Sequence, residues 1–238
     1  MNSGVLTIVG VGPGDPELLT LKAVRVLQQS SCVYVPVSRL SRQTWLDDVA
    51  RRYAPEQAEI CPVTFSVAAD SAARSAHWEA TAAAIDERLQ KGQKVAFVTL
   101  GDPQLYSTSL YLLRALRRRQ PQAAVEIVPG ISSFSHCAAL TGFNLGSGTA
   151  PVTILPTVTA LSDVRRALAN GGTLVLMKIG RQLDAVIELL EELQLVERAV
   201  FVARAGFPEQ VIETDLRRLR GAPAEQGNLA VILIDTEG

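Results

Sequence analysis

Residues 94–108 read KVAFVTLGDPQLYST. Val95 to Leu100 is an unbroken apolar run, the pattern of a strand buried on both faces within a parallel sheet. Gly101-Asp102-Pro103 then imposes a sharp turn, and Thr108 to Arg119 has the periodicity of a helix. A strand, a tight turn and a helix make one repeat of an α/β layer. The same grammar extends in both directions. Upstream, Val5 to Val9 predicts a strand that stops at Gly10, followed by a helix from Glu17 to Gln29. Cys32 to Val35 predicts a strand stopped by Pro36, and Trp45 to Arg52 a helix. A long helix is expected from Ser71 to Lys91, with Trp78, Ala82, Ile85 and Leu89 on one stripe and Gly92 as its stop.

Downstream, the polar segment Gln120-Pro121-Gln122 breaks the pattern, and the alternation then restarts. Strands are expected at Val125 to Val128, Val152 to Leu155, Thr173 to Met177, Ala199 to Ala203 and Leu229 to Ile234. Helices are expected at Ser132 to Leu140, Ser162 to Ala169 and Leu183 to Leu193. The fold class is therefore α/β in two domains, residues 1–120 and 121–238. Ligands of such layers bind at the carboxyl ends of strands, which selects the loops after Val9, Val35, Leu100, Val128 and Met177.

Composition narrows the functional classes. Hydrophobic residues make up 47% of the 238, enough for a sizeable core, and charged residues 20%. The net charge of -1 supplies no global attraction for nucleic acid or an anionic membrane. No apolar run approaches the roughly 20 residues of a membrane-spanning helix. The start, Met1-Asn2-Ser3-Gly4, has neither the basic nor the apolar region of a signal peptide, so a cytoplasmic location is expected. Cys32, Cys61 and Cys137 are widely spaced and form no C-x-x-C pair, so they read as small buried hydrophobes. His77 and His136 lie at no ligand spacing from them, and no metal site is expected.

Three loops carry chemistry. Gly10-Val11-Gly12-Pro13-Gly14-Asp15-Pro16 follows a strand and precedes a helix. It lacks the third glycine of a dinucleotide fingerprint and the G-K-[ST] of a P-loop. It is either a close-approach turn for a ligand or a tight turn capped by Asp15. In Gly101-Asp102-Pro103, the carboxylate of Asp102 either accepts bonds from a ligand or organises its own turn. Val128-Pro129-Gly130-Ile131-Ser132-Ser133 leads into a helix whose free amides suit an anionic group. No G-x-S-x-G elbow occurs, which disfavours a hydrolase using Ser133 and His136.

Taken in order, these loops resemble the motifs of the tetrapyrrole methylase family. Gly10 to Thr20 (GVGPGDPELLT), Gly101-Asp102-Pro103 and Val128 to Ser133 (VPGISS) are similar to its first three motifs. Leu174 to Lys178 and Ala203 to Gly206 are similar to two looser ones, and the resemblance covers nearly the whole chain. GDPQLYST, Trp78 and the Val33 to Pro36 run are most like the branch that methylates precorrin-2 or cobalt-factor II at C-20. Pro36-Val37-Ser38 stands where members that dimethylate uroporphyrinogen carry a carboxylate.

The resemblance implies two α/β domains with the cofactor between them, a homodimer, and methyl transfer from S-adenosylmethionine, leaving S-adenosylhomocysteine. The cofactor residues it implies are Pro13, Gly101, Asp102, Leu105, Ser132, Ser133, Met177, Lys178, Ala205 and Gly206. Asp102 and Tyr106 lie on the right loop to handle a proton. Arg39 and Arg42 suit the carboxylates of a tetrapyrrole substrate, with solvated surface arginines as the alternative. The competing expectations are a methylase acting at another tetrapyrrole position and a non-catalytic nucleotide-binding module.

Overall fold

Five strands form one sheet with the apolar run at its centre: β1 (Val5–Gly10), β2 (Cys32–Val37), β3 (Glu59–Thr64), β4 (Lys94–Thr99) and β5 (Val125–Val128). The computed structural model describes residues 4–37, 44–64 and 71–237. The strand order is β3-β2-β4-β1-β5, with every pair parallel. Side chains alternate between the two faces, and both faces are covered. Leu6, Ile8, Tyr34, Val95 and Phe97 pack with Trp78, Ala82, Ile85 and Leu89 of α3 (Ser71–Gln90) and with Leu112 and Leu116 of α4 (Ser109–Arg119). Val9, Val33, Val35, Ala96 and Val98 pack with Ala23 and Leu27 of α1 (Leu21–Gln28) and with Val49 and Ala50 of α2 (Trp45–Tyr53). Double-sided burial explains why β4 reads as a continuous apolar run rather than an alternating one.

Three of the differences from the sequence expectations have clear physical causes. The helix expected over Glu17 to Gln29 is two elements. Asp15 caps a single 3-10 turn, Pro16–Leu18, by accepting from Glu17 N at 2.8 Å. Leu19 and Thr20 are extended, and Thr20 Oγ1 starts α1 by accepting from Ala23 N at 3.1 Å. The second difference is β3, which the sequence pattern passes over because Pro62 interrupts it. Proline lacks a donor and is tolerated at a sheet edge, and β3 is the edge strand.

The third is the domain boundary, expected after residue 120. The chain instead divides into Met1–Ser132 and Ser133–Gly238. β5 lies beyond the polar break but completes the first sheet by pairing with β1 through Leu6–Val125 to Val9–Val128. Gln120 to Ala124 is thus the turn before the last strand, not a linker. The basic end of α4 is structural: Arg117 donates to the Pro121 and Ala123 carbonyls at 2.8 Å, while Arg118 and Arg119 pair with Glu79 and Asp86 of α3.

The second unit contains a mixed sheet ordered β6-β7-β10-β8-β9. Its strands are β6 (Val152–Leu155), β7 (Thr173–Met177), β8 (Ala199–Ala203), β9 (Val211–Glu213) and β10 (Ala230–Asp235). β6 and β7 are parallel, and β10 is antiparallel to both β7 and β8. One face packs on α6 (Leu161–Leu168) and α7 (Leu183–Glu192) through Val164, Val186, Ile187 and Leu190. The other packs on Cys137 and Ala138 of α5 (Ser133–Thr141).

Burial pushes the Cys137 thiol up from its ordinary 9.0 to about 12. Between those values the folded thiol keeps a proton that the unfolded thiol has lost, so the unfolded state binds fewer protons. Its contribution to stability is complete below pH 9.0 and is lost as pH rises towards about 12. Urea midpoints are expected to fall over that interval in the wild type and less steeply in Cys137→Ala.

Candidate functional site

The carboxyl ends of β4, β1 and β5 lie side by side, and the three motif loops leave from them. Val11 N donates to the Thr99 carbonyl at 3.0 Å and Gly101 N to the Gly12 carbonyl at 2.7 Å, closing an isolated antiparallel bridge between the first two loops. A Cβ on Gly10 would stand 2.7 Å from the Gly101 oxygen, the Gly130 nitrogen and Pro103 Cδ. A Cβ on Gly130 would collide with the Gly101 oxygen and lie 2.8 Å from the Gly10 carbonyl carbon. Three backbones therefore touch where only glycine fits. Asp102 ties them together: Oδ1 accepts from Gln104 N at 2.8 Å and Oδ2 from Gly130 N at 3.1 Å. It organises its own turn and also bridges to the third loop.

Hydroxyls hold the rest of the second loop. Ser109 Oγ bonds the Pro103 carbonyl at 3.1 Å and Ser107 Oγ at 2.9 Å, and Ser107 Oγ lies 2.9 Å from Thr99 Oγ1. Ser109 is fully buried. Neither Ser109 nor Thr99 was singled out from sequence, because a serine in a helix's first turn is unremarkable until its partner is known. Ser109→Ala leaves the buried Pro103 carbonyl short of a donor. We expect a loss of about 1–2 kcal/mol in urea unfolding, the cost of one unsatisfied buried group.

A second set of residues, two of them in motifs, marks one end of the three inner strands of the mixed sheet. Lys178 follows β7 with φ 49, Arg204 follows β8 with φ 50, and Leu229 precedes β10 with φ 50. The register Met177–Val231 and Ala203–Ala230 puts all three at the same end of the sheet, and Arg204 N donates to the Leu229 carbonyl at 3.0 Å. Tyr106, in the second loop, has φ 53. Left-handed backbone is costly for residues with a side chain and concentrates at functional sites. Four of the five such residues among those described stand in or beside family-like motifs.

Comparison with known proteins identifies the family. The model of the Tetrapyrrole (Corrin/Porphyrin) Methylases matches residues 5–220. The chain belongs to the tetrapyrrole methylase family. It is 31% identical over 206 residues to the cobalt-precorrin-2 C(20)-methyltransferase of Salmonella typhimurium, covering 87% of this chain and 86% of that protein. It is 33% identical over 208 residues to the precorrin-2 C(20)-methyltransferase of a Sinorhizobium species, covering 84% of each. A solved uroporphyrin-III C-methyl transferase of Thermus thermophilus, complexed with S-adenyl homocysteine, superposes with a TM-score of 0.62 at 24% identity. That structure covers 98% of this chain and 92% of its own, a likeness of fold.

Within this tetrapyrrole methylase, the first unit brings Gly101, Asp102 and the Gly10 to Gly14 turn together, with Pro13 buried in that turn. Leu105 is half-buried and Tyr106 44% exposed on the same loop. Ser132 and Ser133 straddle the start of α5, at the join between the units. Met177 ends β7 and Lys178 follows it, while Ala205 and Gly206 follow Arg204. Arg39 and Arg42 lie outside the described residues.

The reading of the cysteines as separate hydrophobes holds for Cys137 alone. Cys32 and Cys61 sit on neighbouring strands with their sulfurs 3.3 Å apart. The missed edge strand β3 is what concealed this pair. Cys61 is held protonated far above the usual thiol range by its bond to Cys32, by burial and by Glu59. Cys32 is drawn down by the same bond and by Arg88.

Proposed function

We propose that this protein transfers the methyl group of S-adenosylmethionine to the C-20 meso carbon of precorrin-2 or its cobalt-bearing form, in cobalamin biosynthesis. The observation that carries the reading is the second loop. Its sequence, GDPQLYST, resembles that of the C-20 branch, and its backbone is pinned against both other motif turns at the carboxyl ends of three adjacent strands. The two relatives named for C-20 methylation support the same position.

The cofactor supplies an electrophilic methyl on a sulfonium. A new carbon–carbon bond forms at the meso carbon as the sulfur–methyl bond breaks, the electron pair returns to sulfur, and the substrate framework gives up one proton. Such a displacement needs alignment above all. The glycine-lined turns contribute it by presenting main-chain groups with no side chain in between. We assign Pro13, Gly101, Asp102, Leu105, Ser132 and Ser133 to the cofactor, and with them Met177, Lys178, Ala205 and Gly206 on the strength of the motif match and the strained end of the sheet. Asp102 binds an amide with each oxygen, so within this cofactor set we read it as acting by positioning the loops rather than as the base. We assign Tyr106, exposed on the same loop, to relay the departing proton, its hydroxyl accepting it while passing its own proton to solvent. Arg39 and Arg42 are assigned to the substrate carboxylates. We further read the enzyme as a homodimer, as the family resemblance implies, and as cytoplasmic. Among the described residues no helix is long and apolar enough to cross a membrane.

The test is an anaerobic assay with S-adenosylmethionine and either tetrapyrrole, followed by mass spectrometry and by NMR with a labelled methyl donor. One methyl at C-20 is expected. A methyl at another carbon would retain the family and refute the position, and cofactor binding without product would refute both substrates.

A further inference from the structure

At the opposite end of the first sheet from the motif loops, four side chains form a cluster that methyl transfer does not use. Cys32 is the first residue of β2 and Glu59 the first of β3, whereas the motif loops leave the last residues of β1, β4 and β5. Because these strands are all parallel, the two places are separated by the length of the strands. Cys32 Sγ and Cys61 Sγ are 3.3 Å apart, and Cys61 Sγ donates to Glu59 Oε1 at 3.2 Å. One ligand atom from each of Cys32, Glu59 and Cys61 lies within 4.8 Å of the other two. Arg88 of α3 closes the group. Its Nη2 donates to Glu59 Oε2 at 2.7 Å and lies 3.8 Å from Cys61 Sγ, and its Nε donates to Tyr34 Oη at 3.2 Å.

We propose that Cys32, Cys61 and Glu59 form a binding site for a single thiophilic divalent cation of the zinc class. Three features carry this. The donor set is two sulfurs and one carboxylate oxygen, which suits zinc and excludes magnesium or calcium. The spacing is close to what a tetrahedral ion needs: with zinc–sulfur bonds of about 2.3 Å the sulfurs would stand about 3.8 Å apart, so they need part by only about half an ångström. Glu59, whose side chain is 58% exposed, is free to swing the remaining distance.

Charge is the third feature. Two thiolates and a carboxylate carry -3, and a divalent ion with the Arg88 guanidinium returns +3, leaving the filled site neutral. Arg88 already holds Oε2 and leaves Oε1 turned to the sulfurs, the role of an outer partner that orients a metal-bound carboxylate. On binding, the two thiol protons now held within the cluster go to solvent and two sulfur–metal bonds form. The fourth position opens at the sheet edge, where water completes the shell. The ion would staple the proline-interrupted edge strand β3 to β2.

The test uses the full chain, reduced with a phosphine, freed of metal and kept anaerobic, with all three thiols titratable. Cobalt(II) is the probe. We expect one equivalent to give an intense sulfur-to-cobalt charge-transfer band with tetrahedral d–d absorption, bleached by one equivalent of zinc(II). Cys61→Ser, at a half-exposed position, should abolish the band without lowering the metal-free melting temperature. Cys32→Ser should abolish it too, Cys137→Ser should keep it, and Glu59→Gln, which replaces a ligand itself, should weaken binding by at least the about 10–100-fold that loss of an outer partner costs. Absence of the band in the reduced protein, or its survival in Cys61→Ser, overturns the proposal. So does a pair that only oxidises, with two thiols lost in air and no cobalt taken up after reduction.

Discussion

Gly130→Ala is expected to cost about 2–3 kcal/mol of stability, the upper range for forcing atoms into a packed site, and to remove measurable binding of S-adenosylmethionine. The added methyl meets backbone on two sides, the Gly101 carbonyl oxygen and the Gly10 carbonyl carbon, and neither can rotate away as a side chain would. Relief requires β5 to part from β1 or the second loop to lift, and either movement takes apart the junction of the three motif turns. Gly101→Ala makes a sharp comparison. Gly101 has φ 69, yet its nearest foreign atom is 3.9 Å from an added Cβ. Its cost is therefore conformational, about 1–2 kcal/mol, with the loops left in contact. Urea unfolding and isothermal titration calorimetry of both variants check the order. If Gly130→Ala bound the cofactor as the wild type does, the convergence of the three turns would have no part in recognition.

The second large effect concerns Asp102. Asp102→Ala should weaken cofactor binding about 10–100-fold, since a hydrogen bond to a charged group contributes about 1.5–3 kcal/mol and each 1.4 kcal/mol is tenfold. The substitution frees the Gln104 and Gly130 amides at once and removes the tie between the second and third loops. Asp102→Asn keeps one acceptor oxygen and should recover part of the affinity. Kinetics separate this positioning role from proton transfer. A positioning carboxylate raises KM for the cofactor while kcat at saturation stays within a few-fold, and the pH profile keeps its shape. Loss of kcat at saturating cofactor in Asp102→Asn, with a displaced acid limb, would make Asp102 the base and exclude the Tyr106 assignment.

Much of this molecule was legible as a string of residues. Both layers of strands and helices follow from apolar periodicity, because burial on one or two faces prints a period of 3.6 or a continuous run on the chain. The family motifs were equally visible: close backbone approach demands glycine, and glycines at fixed spacing survive as a pattern without coordinates. Asp15 was legible as a possible cap, since capping is a matter of nearest neighbours in the chain, and it accepts from Glu17 N.

What escaped depended on partners distant in sequence. The division of the chain after Ser132 was settled by the hydrogen bonds of β5 to β1, which are invisible from the polar segment before it. Strand β3 was hidden by Pro62, acceptable only because this strand is an edge, and edge status is a property of the assembled sheet. The bond from Gly130 to Asp102 spans 28 residues, and the sulfur pair spans 29. The sequence by itself determined most of the strands and helices (though not the edge strands β3 and β9), where the backbone must pass closely, and to which family the chain is akin. Only the tertiary structure decided that Asp102 joins two loops, and that Cys32, Cys61 and Glu59 stand together. The physical reason is that periodicity and capping are written over a few neighbouring residues, whereas strand order is set by burial and hydrogen bonding among segments far apart along the chain.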